Sequence, residues 1–189
     1  LKPSYGRVSR YGIVAYASSL DQVGPFSKTV WDSARVLEVM AGFDNRDATT
    51  SKRGVPKYTD ELNTQAKKGY TLGVSRSWLE GVDTDVAQSF ESVLEAFKKA
   101  GGKIVDIDLP HTRYALSTYY LIAPSEASSN LARYDGVHYG YRTQSAKSSE
   151  ELYSRSRGEG IGREVKLRIM LGTYALSAGY YDAFYLKAN

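Results

Sequence analysis

The segment from Gly162 to Tyr185 constrains the fold of this chain more than any other stretch. Its apolar and aromatic residues recur at helical spacing without a proline, which predicts one continuous helix about 36 Å long. One broad aliphatic and aromatic face of this helix holds Leu167, Leu171, Tyr174, Ala178, Tyr181 and Tyr185. A helix that is apolar around so much of its circumference must be covered on more than one side. We therefore expect the rest of the chain to wrap around it.

A second face of the same predicted helix is formed mostly by small residues and holds Val165, Arg168, Gly172, Ala175 and Gly179. Arg168 stands out on this face because the small residues leave open space beside its guanidinium group. That group could bind a carboxylate held over the small residues. Alternatively, Arg168 pairs with a nearby Asp or Glu, or extends into solvent as most arginines do. The residues alone leave Arg168 as a candidate.

Composition excludes several classes of protein. The 189 residues are 42% hydrophobic and 24% charged, which is typical of a globular domain, and no apolar run is long enough to span a membrane. The absence of cysteine excludes disulfides and thiolate metal sites and fits a cytosolic or organellar-matrix location, of which we expect the cytoplasmic one. Only two histidines are present, so a histidine-based metal site or triad is not expected. The net charge of +4 is dispersed, which argues against a dedicated nucleic-acid groove.

The N-terminal half contains the clearest secondary-structure signals. The apolar run from Ile13 to Ala17 predicts a strand buried on both faces, and Asp21 is expected to cap the turn that follows. Thr29 is a good N-cap for a helix from Val30 to Met40. Residues 43–69 are polar and predict a long surface excursion with one short turn of helix.

A strand–helix–strand unit is predicted in the middle of the chain. Its parts are a strand from Thr71 to Ser75, an amphipathic helix from Thr84 to Ala100 and a strand from Lys103 to Leu109. About 40 residues joined in this order form a crossover between parallel strands. Such units occur on many unrelated proteins, so this one indicates an α/β scaffold and not a function.

Residues 113–134 form the second informative stretch. Pro124 predicts that a helix here kinks or restarts near Ala123. If the helical register persists, Tyr119, Glu126 and Asn130 fall on one side and form a polar line on an otherwise small and apolar element. A short helix is expected from Ser148 to Arg157.

Three stretches of the sequence resemble the amidase-signature family. The first is shared broadly by amidases and reads LKPSYGRVSRYGIVAYASSLDQVGP. The other two resemble, within that family, the A subunits of glutamyl-tRNA(Gln) amidotransferases, and read EASSNLARYDGVHYGYR and EVKLRIMLGTYALSAGYYDAFYLK. The resemblance implies an α/β fold of the amidase-signature α/β/α layered type, with a mixed sheet covered by helices. It also implies that residues 1–189 are part of a single amidase-signature domain.

The same resemblance implies an activity and its partners. The A subunits of these amidotransferases hydrolyse glutamine and release ammonia for transamidation of Glu-tRNA(Gln) to Gln-tRNA(Gln), and the resemblance implies the same activity here. The implied partners are glutamine, the B and C subunits of the amidotransferase, and Glu-tRNA(Gln) bound mainly through the B subunit, with no membrane. ATP and Mg²⁺ are expected in the B subunit, and no metal or other cofactor is expected in this chain.

The resemblance also assigns roles to residues. Catalysis in the family uses a serine nucleophile, a second serine in a cis peptide and a lysine base, because a weak hydroxyl needs an adjacent base. All three are expected upstream of Leu1, in a longer protein whose domain also continues beyond Asn189. No catalytic residue is therefore expected here, and residues 1–189 alone are expected to be inactive. Tyr119 matches a tyrosine that contacts bound glutamine, with Tyr120 as an alternative. Arg168 matches the arginine that binds the α-carboxylate.

Other functions are consistent with the same sequence. Sixteen tyrosines, eleven of them after Pro110, and the excursion over residues 43–69 suit a non-catalytic module that docks partner subunits. A fragment of another amidase-signature hydrolase is a further alternative. A tRNA-binding module is disfavoured by the dispersed charge, and a steep salt dependence of tRNA affinity would support it.

Overall fold

A computed structural model describes residues 1–62 and 69–189 of the protein. These residues group into two compact units, one formed by Leu1–Tyr58 with Tyr114–Asn189 and the other by Thr59–Arg113. That all 189 residues belong to a single domain stays a prediction. The part of the predicted excursion at residues 63–68 lies outside the described residues.

The smaller unit contains the predicted crossover. Strand β1 (Thr71–Val74) pairs in parallel with β2 (Lys103–Asp106), and helix α3 (Thr84–Lys99) connects them. Gly101 ends the helix in the left-handed conformation, with φ +87°. The α/β class and the strand–helix–strand order are confirmed, although β2 ends three residues earlier than predicted. A mixed sheet was expected, but within residues 1–62 and 69–189 the sheet consists of two strands that run parallel to each other.

The N-terminal part of the larger unit contains helix α1 (Val30–Met40), as predicted. The side chain of Thr29 accepts a hydrogen bond from the backbone N–H of Asp32 at 3.0 Å, which caps the helix. Ala34 and Leu37 are buried on its inner face. A short helix, α2 (Tyr58–Leu62), lies within the predicted excursion and matches the single short helix expected there.

The prediction of a buried strand from Ile13 to Ala17 is wrong. These residues form an irregular loop in which the side chains of Ile13 and Val14 are exposed. The carboxylate of Asp21 accepts hydrogen bonds from the backbone N–H groups of Tyr16, at 2.9 Å, and Ala17, at 3.1 Å. These two amides are therefore not available to a strand ladder. Asp21 therefore caps a turn, as predicted, but it is the turn that precedes it and not the one that follows.

Helix α4 (Ala115–Asn130) continues through Pro124. The prediction that the helix breaks and restarts near Ala123 is therefore wrong. Proline removes one backbone donor from the helix interior. Here its ring is fully buried, and tertiary packing of the surrounding turn compensates for the lost bond. The hydroxyl of Ser125 also donates to the carbonyl oxygen of Leu121 at 2.6 Å. A 3₁₀ turn (Leu131–Arg133) follows the helix.

The C-terminal part forms several helices in place of the long one predicted. Helix α5 (Ser149–Gly160) has Ser148 as its N-cap, one residue before its start, and ends three residues later than predicted; α6 (Arg163–Ala175) follows it. Gly179 then adopts φ +87°, a conformation that does not continue a helix, and the hydroxyl of Ser177 donates to the carbonyl oxygen of Tyr174. A π-helical turn (Tyr181–Tyr185) and α7 (Leu186–Ala188) complete the chain. The predicted helix therefore ends ten residues early.

The core of the larger unit lies between α4 and α6. Small residues allow the two helices to approach closely, and buried members of this contact are Ala123, Ala127, Gly172 and Ala175. Of the predicted small-residue face, Gly172 and Ala175 are buried in this contact, whereas Val165 is exposed and Gly179 lies beyond the end of α6. The predicted aliphatic face behaves differently, since Leu167, Leu171 and Tyr174 are about half exposed. The described residues thus do not wrap α6 on that side.

The helices within residues 1–62 and 69–189 do not include a membrane span, because none of them is both long and apolar enough to cross a bilayer.

Candidate functional site

Three distant parts of the chain meet at the side chain of Arg168 on α6. Its Nη1 atom donates to the hydroxyl oxygen of Tyr16 at 3.3 Å and to that of Tyr119, on α4, at 3.4 Å. The Arg168 side chain retains 27% of its exposure, so it lies at the surface of the packed α4–α6 core and remains accessible. The structure therefore brings together Arg168 and Tyr119, the two residues proposed from the sequence.

Glu164 contacts the other side of the same guanidinium group. One turn earlier on α6, its carboxylate accepts from Nε of Arg168 at 2.9 Å. The Tyr16 hydroxyl, the Glu164 carboxylate and the Tyr119 hydroxyl together raise the pKa of Arg168 above its already high ordinary value. Arg168 is therefore a permanent cation. The alternative that Arg168 pairs with a nearby acid is also realised, but it involves only one edge of the guanidinium.

The polar line predicted on α4 holds the N-terminal loop that carries Tyr16. Glu126 accepts hydrogen bonds from both the backbone N–H, at 3.0 Å, and the hydroxyl of Ser19. Asn130 donates from Nδ2 to the carbonyl oxygen of Tyr16 at 3.1 Å and to the hydroxyl of Ser18 at 3.2 Å. Glu126 and Asn130 thus hold the loop against α4, whereas Tyr119, the third member of the predicted line, meets Arg168 on α6.

A cavity of about 470 Å³ adjoins this loop. Residues from the loop, from α4 and from the C-terminal turns line it: Ser18, Ser19, Ser125, Glu126, Ser129, Asn130, Leu176, Tyr181 and Tyr185. Arg168 and Tyr119 are not among these lining residues, so the carboxylate-binding candidates lie outside this cavity.

Tyr120 does not replace Tyr119 in the cluster. Its ring contacts that of Tyr119 edge-to-face, with centroids 5.3 Å apart, and it is the Tyr119 hydroxyl that meets Arg168. Tyr16 was not predicted from the sequence. It is separated from Arg168 by 152 residues, and no local pattern distinguishes it from the other tyrosines.

The cluster has the chemistry of an anion site. It combines a permanent positive charge with two phenolic hydroxyls, and both kinds of group donate hydrogen bonds to a carboxylate. Among the residues that the structure describes, no group of three or more histidine, aspartate or glutamate side chains is arranged to hold a metal ion.

Comparison with known proteins places the chain among amidases. The sequence profile of the Amidase family matches residues 1–189. The A subunit of the glutamyl-tRNA(Gln) amidotransferase of Koribacter versatilis is 56% identical over 190 residues, which cover 100% of this chain and 39% of that protein. The corresponding subunit of the Alkalilimnicola ehrlichii enzyme is also 56% identical, with the same coverage. The chain therefore spans about two fifths of the length of the curated relatives it matches.

Solved structures give the same result at the level of the fold. The A subunit of the glutamyl-tRNA(Gln) amidotransferase from Thermotoga maritima superposes with a TM-score of 0.69 at 39% identity, covering 99% of this chain and 36% of that one. The native peptide amidase from Stenotrophomonas maltophilia superposes with a TM-score of 0.68 at 26% identity, covering 97% of this chain and 37% of that one. The α/β fold of the amidase-signature type, predicted from the sequence resemblance, is thus confirmed.

Proposed function

This chain belongs to the amidase family, and from that premise we propose that it forms part of a glutamine-hydrolysing amidotransferase subunit. Its role in that subunit is to bind the α-carboxylate of glutamine through Arg168 and Tyr119 and to provide scaffold around the site. The single observation that supports this role best is the hydrogen bond between Arg168 and the Tyr119 hydroxyl. The names of the relatives that are 56% identical support the choice of substrate.

The proposal includes the partners implied by those relatives. The ammonia released from glutamine serves transamidation of Glu-tRNA(Gln), in a complex with the B and C subunits of the amidotransferase. Glu-tRNA(Gln) binds mainly through the B subunit, which also holds ATP and Mg²⁺. A cytoplasmic location follows from this role in translation.

The nucleophilic serine, the cis-peptide serine and the lysine base are proposed to come from outside residues 1–189. No Gly-Gly-Ser run occurs in the sequence, which supports this part of the proposal. We expect purified residues 1–189 to show no conversion of glutamine to glutamate, and a measurable turnover would contradict it.

The test of carboxylate binding is substitution of Arg168 in the complete amidotransferase. Arg168→Ala removes a charge-assisted hydrogen bond donor, and we expect the KM for glutamine to rise about ten- to a hundredfold. Arg163→Ala is the matched control, because Arg163 is an exposed arginine at the start of the same helix. It should leave the KM unchanged. An unchanged KM in Arg168→Ala would remove Arg168 from the site.

A second candidate function is supported by one observation. The exposed apolar side of α6 and the turns after it present Leu167, Met170, Leu171, Tyr174 and Phe184. A surface of this kind suits a module that docks partner subunits. Capture of the C subunit by residues 1–189, together with an Arg168→Ala enzyme of unchanged KM, would favour this docking role over substrate binding. Hydrolysis of other amides in preference to glutamine would favour a different amidase-family hydrolase.

A further inference from the structure

The geometry points to Tyr16 as a third member of the carboxylate site, with a hydroxyl that accepts from Arg168 and donates its own proton to the ligand. Neither the sequence resemblance nor the comparisons assign a role to this residue. The inference rests on the proposed function, because it adds a specificity-determining residue to the site formed by Arg168 and Tyr119.

The first step concerns the donors of the guanidinium group. Its Nε atom is taken by Glu164 at 2.9 Å, while Nη2 makes no hydrogen bond to any residue within 1–62 and 69–189. A carboxylate that binds arginine through two parallel hydrogen bonds uses either the Nε–Nη2 side or the Nη1–Nη2 end. Because Glu164 takes Nε and the two tyrosine hydroxyls take the two Nη1 hydrogens, the guanidinium donors that the described residues leave free are those of Nη2. A ligand that binds Nη2 without displacing Glu164 approaches from the Nη1–Nη2 end, where the two tyrosine hydroxyls lie.

The second step concerns the hydroxyl protons. A tyrosine hydroxyl that accepts from an arginine still has its own proton to donate. Within the described part of the chain, neither Tyr16 nor Tyr119 donates that proton to an acceptor. The cluster therefore has a surplus of donors, namely Nη2 and two phenolic O–H groups. A carboxylate, which only accepts hydrogen bonds, satisfies all of them.

The third step is that Tyr16 is held in place from both sides of its backbone. Its N–H donates to Asp21 at 2.9 Å, and its carbonyl oxygen accepts from Asn130 at 3.1 Å. The next residue, Ala17, is only 3% exposed. With the backbone fixed, the hydroxyl meets the ligand without an additional loss of conformational freedom on binding.

The ligand class follows from this donor surplus. A free α-carboxylate complements the three donors, whereas an α-carboxamide places its own NH₂ group against them. Tyr16 should therefore help the site to select amino-acid amides with a free α-carboxylate over those in which it is blocked.

The test is Tyr16→Phe in the complete enzyme with its partner subunits, assayed with L-glutamine and with the α-amide of L-glutamine. The phenylalanine ring keeps the packing and removes only the hydroxyl. We expect the KM for glutamine to rise about three- to tenfold, with kcat within about twofold of the parent, as for loss of one hydrogen bond. The KM for the α-amide should not change. Competitive inhibition constants replace KM if the α-amide is hydrolysed too slowly.

Tyr11→Phe is the matched control, because Tyr11 lies in the same N-terminal segment with an exposed side chain. It should leave both constants unchanged. An unchanged KM for glutamine in Tyr16→Phe would overturn the inference, and so would an equal rise for both compounds, which would indicate a general structural role.

Arg168→Ala separates this inference from the proposed function. If Arg168→Ala leaves the KM for glutamine unchanged, the proposed function fails. If it raises the KM and Tyr16→Phe does not, only the role of Tyr16 fails. In the double variant, the effect of Tyr16→Phe should be smaller than in the parent, because the two residues bind the same carboxylate.

Discussion

A β-carbon placed on Gly172 would lie 1.9 Å from the carbonyl oxygen of Pro124, so α4 and α6 are in direct backbone contact. Such a distance is far below van der Waals contact. The two residues define where the helices cross, and Arg168 lies one turn before this crossing. The distance between Arg168 and Tyr119 therefore depends on it.

Gly172→Ala should separate the two helices. We expect the free energy of unfolding to fall by about 1–3 kcal/mol or more, as for overpacking of a tight core. We also expect a higher KM for glutamine, since Arg168 moves with α6. Chemical denaturation and steady-state kinetics measure the two effects.

Gly158→Ala provides the control for that substitution. Gly158 lies in α5, and a β-carbon there meets nothing within 4 Å. Alanine in a helix is favoured over glycine by about 0.5–1 kcal/mol, so this variant should be slightly stabilised. Equal stability of the two variants would show that the crossing adjusts easily.

Arg157 stabilises the end of α4 and the turn after it. Its Nη1 atom donates to the carbonyl oxygens of Leu131 and Tyr134, each at 3.1 Å. Arg157→Ala leaves the Tyr134 carbonyl oxygen without a donor among the described residues, whereas the Leu131 carbonyl oxygen still accepts from the backbone N–H of Tyr134 at 3.2 Å. We expect the free energy of unfolding to fall by about 1.5–3 kcal/mol. Arg155→Ala should have a much smaller effect, because Arg155 pairs only with exposed groups on the same helix and a backbone carbonyl at 3.4 Å. Thermal unfolding measures the stability of both variants. An equal loss of stability in Arg157→Ala and Arg155→Ala would contradict the prediction.

Glu126 fixes the loop that carries Tyr16 through both of its carboxylate oxygens. Glu126→Ala removes both acceptor oxygens, so the backbone N–H and the hydroxyl of Ser19 lose their partner. We expect amide hydrogen exchange at Ser19 to accelerate about three- to tenfold or more, as for loss of at least one hydrogen bond. Glu150→Ala, on the exposed face of α5, should not change it. Unaltered exchange at Ser19 in Glu126→Ala would show that other contacts hold the loop.

Asp47 makes the stability of the N-terminal region sensitive to acid. Hydrogen bonds from the Thr49 hydroxyl, the Arg10 backbone N–H and the Thr49 backbone N–H lower the pKa of Asp47 from 3.8 to about 2. Because the pKa of Asp47 is lower in the folded state than in the unfolded state, ionised Asp47 stabilises the fold, and this stabilisation is fully present above about pH 4. The stabilisation is lost as the pH falls through about 2.

Asp47→Asn should therefore be less stable than the parent near neutral pH, and the difference should shrink between about pH 4 and pH 2. Urea unfolding at several pH values measures this difference in stability. Asp108→Asn removes a carboxylate that forms no hydrogen bond or ion pair with a described residue, and it should show no such trend. A difference that stays constant with pH would mean that the carboxylate charge is not responsible.

The elements that sequence reasoning placed well are those with strong local signals. Thr29 marks the start of α1 through a side-chain cap, and the amphipathic pattern between two short apolar runs identifies the β1–α3–β2 unit. These signals act within a few residues, so they do not depend on the rest of the fold.

Two of the errors arise where a short-range contact or turn overrides the apolar pattern. Asp21 draws two amides of an apolar run into a turn, and α6 ends at Ala175, four residues before Gly179 adopts a left-handed conformation. The third error is tertiary: Pro124 is tolerated inside α4, where its ring is fully buried and its carbonyl group meets Gly172 of α6. That contact cannot be read from the segment itself.

The candidate site was only partly accessible from sequence for the same reason. Arg168 and Tyr119 were identified through resemblance to a family, whereas spacing alone left Arg168 open. The contribution of Tyr16 depends on a contact between residues 152 positions apart. No periodicity links such residues.

This separation has a consequence for the order of events during protein synthesis. At 5–20 residues per second, Arg168 leaves the peptidyl-transferase centre roughly 8–30 s after Tyr16. During that interval the turn made by Asp21 can form, because its partners lie four and five residues away. The contacts with Asn130 and Arg168 can form only later. A nascent chain that stalls before α6 would therefore display the tyrosine loop without the cation it is shaped to meet.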